Sequence, residues 1–216
     1  MTYTLLEMMD GRWLEGHVFS HIPYRNTFIK DLAFLLDELH QNSYSAKYKP
    51  FSMFDIVRNL VPIGDKYINK YIRRFIKDTI SEFKEIESEL TGSVLLHGDL
   101  HRNNIIVDSN ENLQGLIDWK HICIGDPHWE FRKVRTFVGW QGLEEFLSFY
   151  NGNCNLEYIK ILDRVSLCNS LQLRLQPNWE FPNRFHPNLE HHPIHGSPDT
   201  AQLYEKYIRN WPNDIY

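Results

Sequence analysis

Hydrophobic positions along this chain fall into two rhythms. Phe28, Leu32, Leu35, Leu36 and Leu39 recur every three to four residues, the spacing of one helical face, and His40 closes the run. From Tyr67 to Leu90 the same period is stronger. Ile68, Ile72, Phe75, Ile76, Phe83, Ile86 and Leu90 make one stripe, with Lys, Arg, Asp and Glu on the other faces, and Thr91-Gly92 ends it. Helical patterning returns from Trp129 onward, over Leu143–Tyr150 and Leu156–Leu175, and once more near Thr200–Arg209. In between, the rhythm changes to short apolar runs, Val94–Leu96, Ile105–Val107 and Leu116–Ile117, separated by turn formers such as Asp108-Ser109-Asn110. Thr2–Met8 reads as a further strand, broken by Asp10-Gly11. Pro50–Asp65, with Pro62 and Gly64, reads as a loop holding one helical turn. The pattern predicts an α+β, mostly helical chain with a small β insert at its centre.

Composition narrows the class. A chain of 216 residues, 42% hydrophobic and 24% charged, suits one full domain or two small ones and excludes a disordered or disulfide-built protein. Lys and Arg total 23 against 28 Asp and Glu, a net charge of -5, so there is no general drive toward nucleic acid or anionic lipid. No apolar run approaches the roughly 18 residues of a membrane span. The first ten residues lack a basic region and carry Glu7 and Asp10, unlike a secretory signal. Three cysteines, Cys123, Cys154 and Cys168, fit no paired metal spacing and read as free thiols, so a cytoplasmic protein is expected. His186, His191, His192 and His195 lie among prolines with no cysteine nearby, which reads as a surface loop rather than a metal site.

Chemistry concentrates in one stretch: His97-Gly98-Asp99-Leu100-His101-Arg102-Asn103-Asn104, then Ile117-Asp118-Trp119, then Gly125-Asp126-Pro127. Taken singly, these Asp and Asn residues would be turn and cap formers. Their order and spacing point further. Asp99 and Asn104, five apart between strand-like runs, sit on a loop that can turn a carboxylate and an amide oxygen toward one point, and Asp118 ends another short strand. Such hard oxygens are what Mg²⁺ prefers, with water and phosphate completing its shell, while Asp99 is left to orient or deprotonate a hydroxyl.

His-Gly-Asp-x-x-x-x-Asn, Ile-Asp and Gly-Asp-Pro in this order resemble the aminoglycoside phosphotransferase and choline-kinase-like family, relatives of protein kinases, over the chain from its first residues to about residue 140. The resemblance implies a protein-kinase-like C-terminal lobe, a reaction with ATP and Mg²⁺, and transfer of the γ-phosphate to a small-molecule hydroxyl. It implies Asp99 as catalytic base and Asn104 and Asp118 as metal ligands. Asp126 would be a structural acid bracing the loop. His97 is expected to hydrogen-bond the loop backbone and His101 to pack the loop or touch phosphate. Thr2–Met8 would be the last strand of the N-terminal lobe entering the hinge, with Glu7 and Met8 beside adenine.

Two residues depart from the family pattern. Glu130 stands where many members have Asp three positions after the Gly-Asp-Pro proline, and Lys120 stands where many have Glu after Ile-Asp-Trp, reversing the charge. A cationic substrate facing Lys120 would be less welcome, and residues 140–216 are only mildly acidic, with nine acids against six bases. With residues 1–10 read as hinge and 11–216 as the C-terminal lobe, the glycine-rich phosphate loop and strand lysine of such kinases are not found. The expectation is therefore a truncated phosphotransferase. The alternatives are an inactive kinase-like binding module, or a lobe whose partner arrives in trans on, or whose self-association runs through, the exposed hinge strand.

Overall fold

The computed structural model describes residues 11–14, 22–41, 48–60, 68–175 and 198–212. In chain order the elements are β1 (Arg12–Trp13), α1 (Ile22–Gln41), α2 (Met53–Asn59), α3 (Lys70–Ile86), β2 (Val94–Leu96), β3 (Ile105–Val107), β4 (Leu113–Leu116), β5 (Cys123–Gly125), α4 (Pro127–Phe149), α5 (Leu156–Leu175) and α6 (Pro198–Asn210). They cluster into two units, Met1–Phe51 with Thr91–Leu156 and Ser52–Leu90 with Glu157–Tyr216. The strand expected at Thr2–Met8, with Glu7 and Met8, lies outside the described residues, as do the four histidines of 186–195.

The first unit carries all the β-structure among the described residues. β1, β3 and β4 form an antiparallel sheet in the order β1-β3-β4, with Arg12 opposite Val107 and Ile105 opposite Leu116. A register shift between Ile106 and Val107 lets β4 contribute one residue more than its partner. β2 pairs antiparallel with β5, Val94 opposite Gly125 and Leu96 opposite Cys123. Cys123–Gly125 carries no strand signal of its own. It is a strand because Val94–Leu96 supplies a partner on one side and Pro50 bridges Ile124 on the other. Helix α1 packs against α4 and β2. Its buried stripe is Phe28, Ile29, Leu32, Ala33, Leu36 and His40, with Leu35 and Leu39 half-buried on the flank. The face is thus turned slightly from the one that leucine spacing suggests.

Helix α4 is two helical segments joined at Gly139, whose φ of 70° and ψ of 177° are not helical. A left-handed φ inside a helix costs a residue with Cβ about 1–2 kcal/mol, which glycine avoids.

In the second unit α3 shows the stripe its sequence promises. Ile72, Ile76, Thr79, Phe83 and Ile86 are buried, and the Asn69 Oδ1 accepts the Ile72 N–H at 2.9 Å to start the helix. Pro50–Asp65 holds more than one helical turn: α2 runs seven residues, begun by the Ser52 hydroxyl accepting from the Asp55 N–H at 3.2 Å. A serine cap and buried Met53 and Val57 outweigh the flanking prolines. No described helix is long and apolar enough to cross a membrane.

Candidate active site

The three motifs converge within the first unit because its two small sheets place their ends side by side. Asn104 immediately precedes β3, and Ile117 immediately follows β4. The Ile117 N–H donates to the Asn104 carbonyl at 3.0 Å, continuing the ladder one step beyond Ile105–Leu116 and bringing Asp118 next to Asn104. Asn104 is buried. Its Nδ2 donates to the Asp99 carbonyl at 2.9 Å, which fixes the amide and leaves its oxygen as the atom to meet a cation.

His97, wholly buried, ties the same pieces from behind. Its Nε2 donates to the Ile117 carbonyl at 2.8 Å, and its Nδ1 accepts the Asp99 N–H at 3.3 Å. These partners fix the tautomer. One imidazole therefore holds the backbone of both Asp99 and the residue before Asp118, while its ring packs on Trp119 at 4.6 Å between centroids.

Gly98 is required by geometry. Its φ is +80°, and a Cβ built there would stand 2.0 Å from the His121 carbonyl oxygen. The turn Trp119–His121 is therefore laid directly against the loop that carries Asp99.

Asp99 is partly exposed, its carboxylate 3.7 Å from His101 Nε2. The His101 imidazole beside it is the main cause holding the carboxyl down at about 2, with Lys133 and His121 adding to it and burial opposing them. His101 is further committed to the loop through Nδ1, which accepts the Asn103 N–H at 3.2 Å.

The bracing acids divide their work differently from the motif expectation. Asp126 does not reach the loop backbone. Its carboxylate caps α4 at the His128 N–H (3.0 Å), bonds His128 Nδ1 (2.6 Å) and accepts the Gly92 N–H (2.9 Å), fixing the approach to β2. Burial pushes Asp126 upward, but His128 and the two backbone N–H groups outweigh it, and the carboxyl ends below its ordinary range. The acid that does reach the loop is Glu130, one helical turn into α4. Its Oε1 accepts the Gly98 N–H at 3.1 Å, and its Oε2 lies 3.2 Å from His40 Nε2. His40 Nδ1 in turn lies 2.9 Å from the Tyr150 hydroxyl. All three side chains are buried, so this row runs from α1 and the end of α4 to the peptide beside Asp99.

Sequence reasoning names Glu130 only as a variant of a family position and His40 only as a helix end. The signal for their link is that both are polar residues on otherwise apolar faces.

Asp118 begins the turn with φ of 63°, and its Oδ2 is 2.8 Å from Lys120 Nζ. Asn104 and Asp118 suit Mg²⁺ in donor chemistry: each offers a hard oxygen, and that of Asp118 already draws a cation of this chain. Among the described residues no group of three or more His, Cys, Asp or Glu gathers as a metal site.

Residues 1–158 match the phosphotransferase enzyme family, APH. The chain belongs to that family. Among curated proteins it is 25% identical over 153 residues to the uncharacterized protein YcbJ of Bacillus subtilis (strain 168), a match covering 68% of this chain and 50% of YcbJ. The chain thus spans about half the length of that relative.

Solved structures of the APH type share the fold. Wild-type aminoglycoside 2'-phosphotransferase-IIIa, in its GDP complex, superposes with a TM-score of 0.72 at 13% identity, covering 94% of this chain and 68% of that one. Choline kinase LicA from Streptococcus pneumoniae gives 0.59 at 18% identity, covering 86% and 64%. Macrolide 2'-phosphotransferase type I gives 0.55 at 17%, covering 78% and 62%. These likenesses establish a kinase-like fold, mostly helical with small antiparallel sheets.

Proposed function

We propose that this chain carries the catalytic loop of an ATP- and Mg²⁺-dependent phosphotransferase that moves a terminal phosphoryl group to the hydroxyl of a small molecule. The observation that carries the reading is the way His97 and Asn104 bind the backbone of Asp99 to the segment of Asp118. A hydroxyl acceptor and a metal-bound phosphate need to meet at a fixed separation, and two loops locked to each other provide that.

In this reading Asn104 and Asp118 hold Mg²⁺, which when bound would offset the negative charge of the transferring phosphoryl group. Asp99, ionised and half-exposed, accepts a hydrogen bond from the acceptor hydroxyl. As the hydroxyl oxygen bonds to phosphorus and the bond to the nucleoside diphosphate breaks, the hydroxyl proton passes to the Asp99 carboxylate. A carboxyl at about 2 is a weak base. Its main contribution is orientation, with proton transfer late, when the oxygen has grown acidic by bonding to phosphorus. His101 lies 3.7 Å from the Asp99 carboxylate and would be the side chain to meet a phosphate oxygen. Glu7 and Met8 would lie beside the adenine. Relatives whose structures are described with GDP or AMP support a nucleotide as the donor.

The test is a thermal-shift titration with ATP and Mg²⁺, run beside Asp118→Ala. A ligand that binds only the folded chain raises Tm by mass action, about 2.7 kcal/mol of stabilisation at a hundredfold excess over Kd. A rise that requires Mg²⁺ and disappears in the variant is expected. No rise at millimolar ATP would reject the reading for this chain.

A further inference from the structure

The turn Trp119–His121 holds a residue that the family motif does not call for. Lys120 reaches back two positions to set Nζ 2.8 Å from Asp118 Oδ2, with 60% of the lysine side chain and 39% of the aspartate side chain exposed. An ion pair so open to water contributes little to stability. Closure of the turn does not need it either. The Ile122 N–H donates to the Trp119 carbonyl at 3.2 Å, and the Trp119 indole N–H donates to the Leu116 carbonyl at 3.0 Å. The Lys120 ammonium covers Asp118 Oδ2, an oxygen that a divalent cation would also seek, on a stem long enough to swing aside.

We propose that Lys120 is a tethered cation that exchanges partners, covering Asp118 until metal and nucleotide arrive and then pairing with a phosphate oxygen of the bound nucleotide. This rests on Asp118 being a metal ligand. An ammonium at 2.8 Å and a metal ion at the roughly 2.0–2.1 Å of Mg²⁺ coordination cannot share one carboxylate oxygen without strong repulsion. A metal ion taken up on Asp118 Oδ2 would therefore displace Lys120, and the phosphate arriving with that metal would supply the anionic oxygens that replace Asp118. The same chemistry could be offered by an acidic group on the acceptor. The nucleotide is favoured because the metal itself would bring it to Asp118.

The exchange has a signature of opposite signs. Free Mn²⁺ is titrated into the chain and followed by electron paramagnetic resonance, and Mg-ATP binding is followed by calorimetry in saturating Mg²⁺ without any acceptor. Lys120→Ala is expected to bind Mn²⁺ alone several-fold more tightly and Mg-ATP several-fold more weakly. A residue that only supports the fold would move both constants the same way. Lys120→Arg, which keeps the charge, should return both toward wild type. Mn²⁺ affinity unchanged or weaker in Lys120→Ala, while Asp118→Asn abolishes Mn²⁺ binding, overturns the exchange and leaves Asp118 a ligand. Tighter Mn²⁺ with unchanged Mg-ATP overturns the nucleotide as second partner and leaves an acidic acceptor as the source. Mn²⁺ binding indifferent to Asp118→Asn removes the metal assignment, and the exchange with it.

Discussion

Asp99 shows how one residue is shaped by its immediate partners. The His101 imidazole beside it keeps the carboxyl at about 2, well under the usual aspartate value of about 3.9. The folded pKa lies below the unfolded one. The stabilising contribution is therefore complete above about 3.9 and is lost as pH falls toward about 2. Between those limits and neutrality the carboxylate does not titrate. Any acidic limb in a pH–rate profile between about pH 5 and 7 would then belong to another group. Asp99→Asn should lower kcat by about 10²–10⁴-fold, the range for losing a positioned base, with little change in the urea midpoint. Turnover within a few-fold of wild type would remove Asp99 from the reaction. A wild-type limb near pH 4 to 5 that vanishes in Asp99→Asn would show instead that the His101 contact does not hold in solution.

At the scale of elements, the start of α4 is where sequence, packing and site meet. Gly-Asp-Pro is a helix-opening signal in its own right, with an acid at the cap and proline at the first helical position. The structure adds that the same carboxylate holds Gly92 and His128, and that Glu130 follows on the next turn to hold Gly98. Asp126→Ala would remove the cap and leave buried N–H groups without an acceptor, a loss of about 2–4 kcal/mol in urea unfolding. Because the Asp126 carboxyl is lowered in the folded chain, this stabilisation is present above the ordinary aspartate range and fades as pH falls through the folded value. The stability difference between wild type and Asp126→Ala should narrow on acidification. A difference constant from neutral pH down to pH 3 would show that the carboxylate's charge contributes nothing.

The helices and short strands were legible because their signals are local: stripes over 28–40 and 67–90, apolar runs at 94–96 and 105–107. β5 and the link from His40 through Glu130 to Gly98 were not. Both depend on a partner brought from elsewhere in the chain, 27 residues away for Leu96 and Cys123 and 90 for His40 and Glu130. The candidate acids were found through their spacing, but the pairing of Asp118 with Lys120 was visible only as a reversed charge.

At the scale of the whole molecule, the cysteines report on each unit separately. Cys123 on β5 and Cys154 after α4 lie in the first unit, and Cys168 on α5 lies in the second. Burial pushes the Cys123 thiol up to about 11, with the Glu130 charge adding to it. Burial likewise pushes Cys154 up to about 12, with Asp126 adding, and Cys168 up to about 12, with the Thr79 hydrogen bond and the Arg164 charge opposing. At pH 8 their thiolate fractions fall two to three orders of magnitude, roughly, below that of a free thiol with pKa about 8.5. A native chain mixed with a disulfide reagent at pH 8 should show no fast thiol. The unfolded chain should release all three at once. Cys123, half-buried on a three-residue strand, should react first, by local fraying of β5. Cys168, wholly buried within α5, should wait for its own unit to open. Mapping the labelled sites over time separates the two units without disturbing either. One equivalent modified in the first seconds at Cys168 would contradict the packing of the second unit, where Arg164 pairs with Glu82 and the Trp211 indole N–H donates to Asp163 at 2.9 Å. Equal rates at Cys123 and Cys168 would mean that the two units open together. Slower labelling of Cys123 in the presence of Mg-ATP, with Cys168 unaffected, would place nucleotide binding in the unit that contains Asp99 and Asp118.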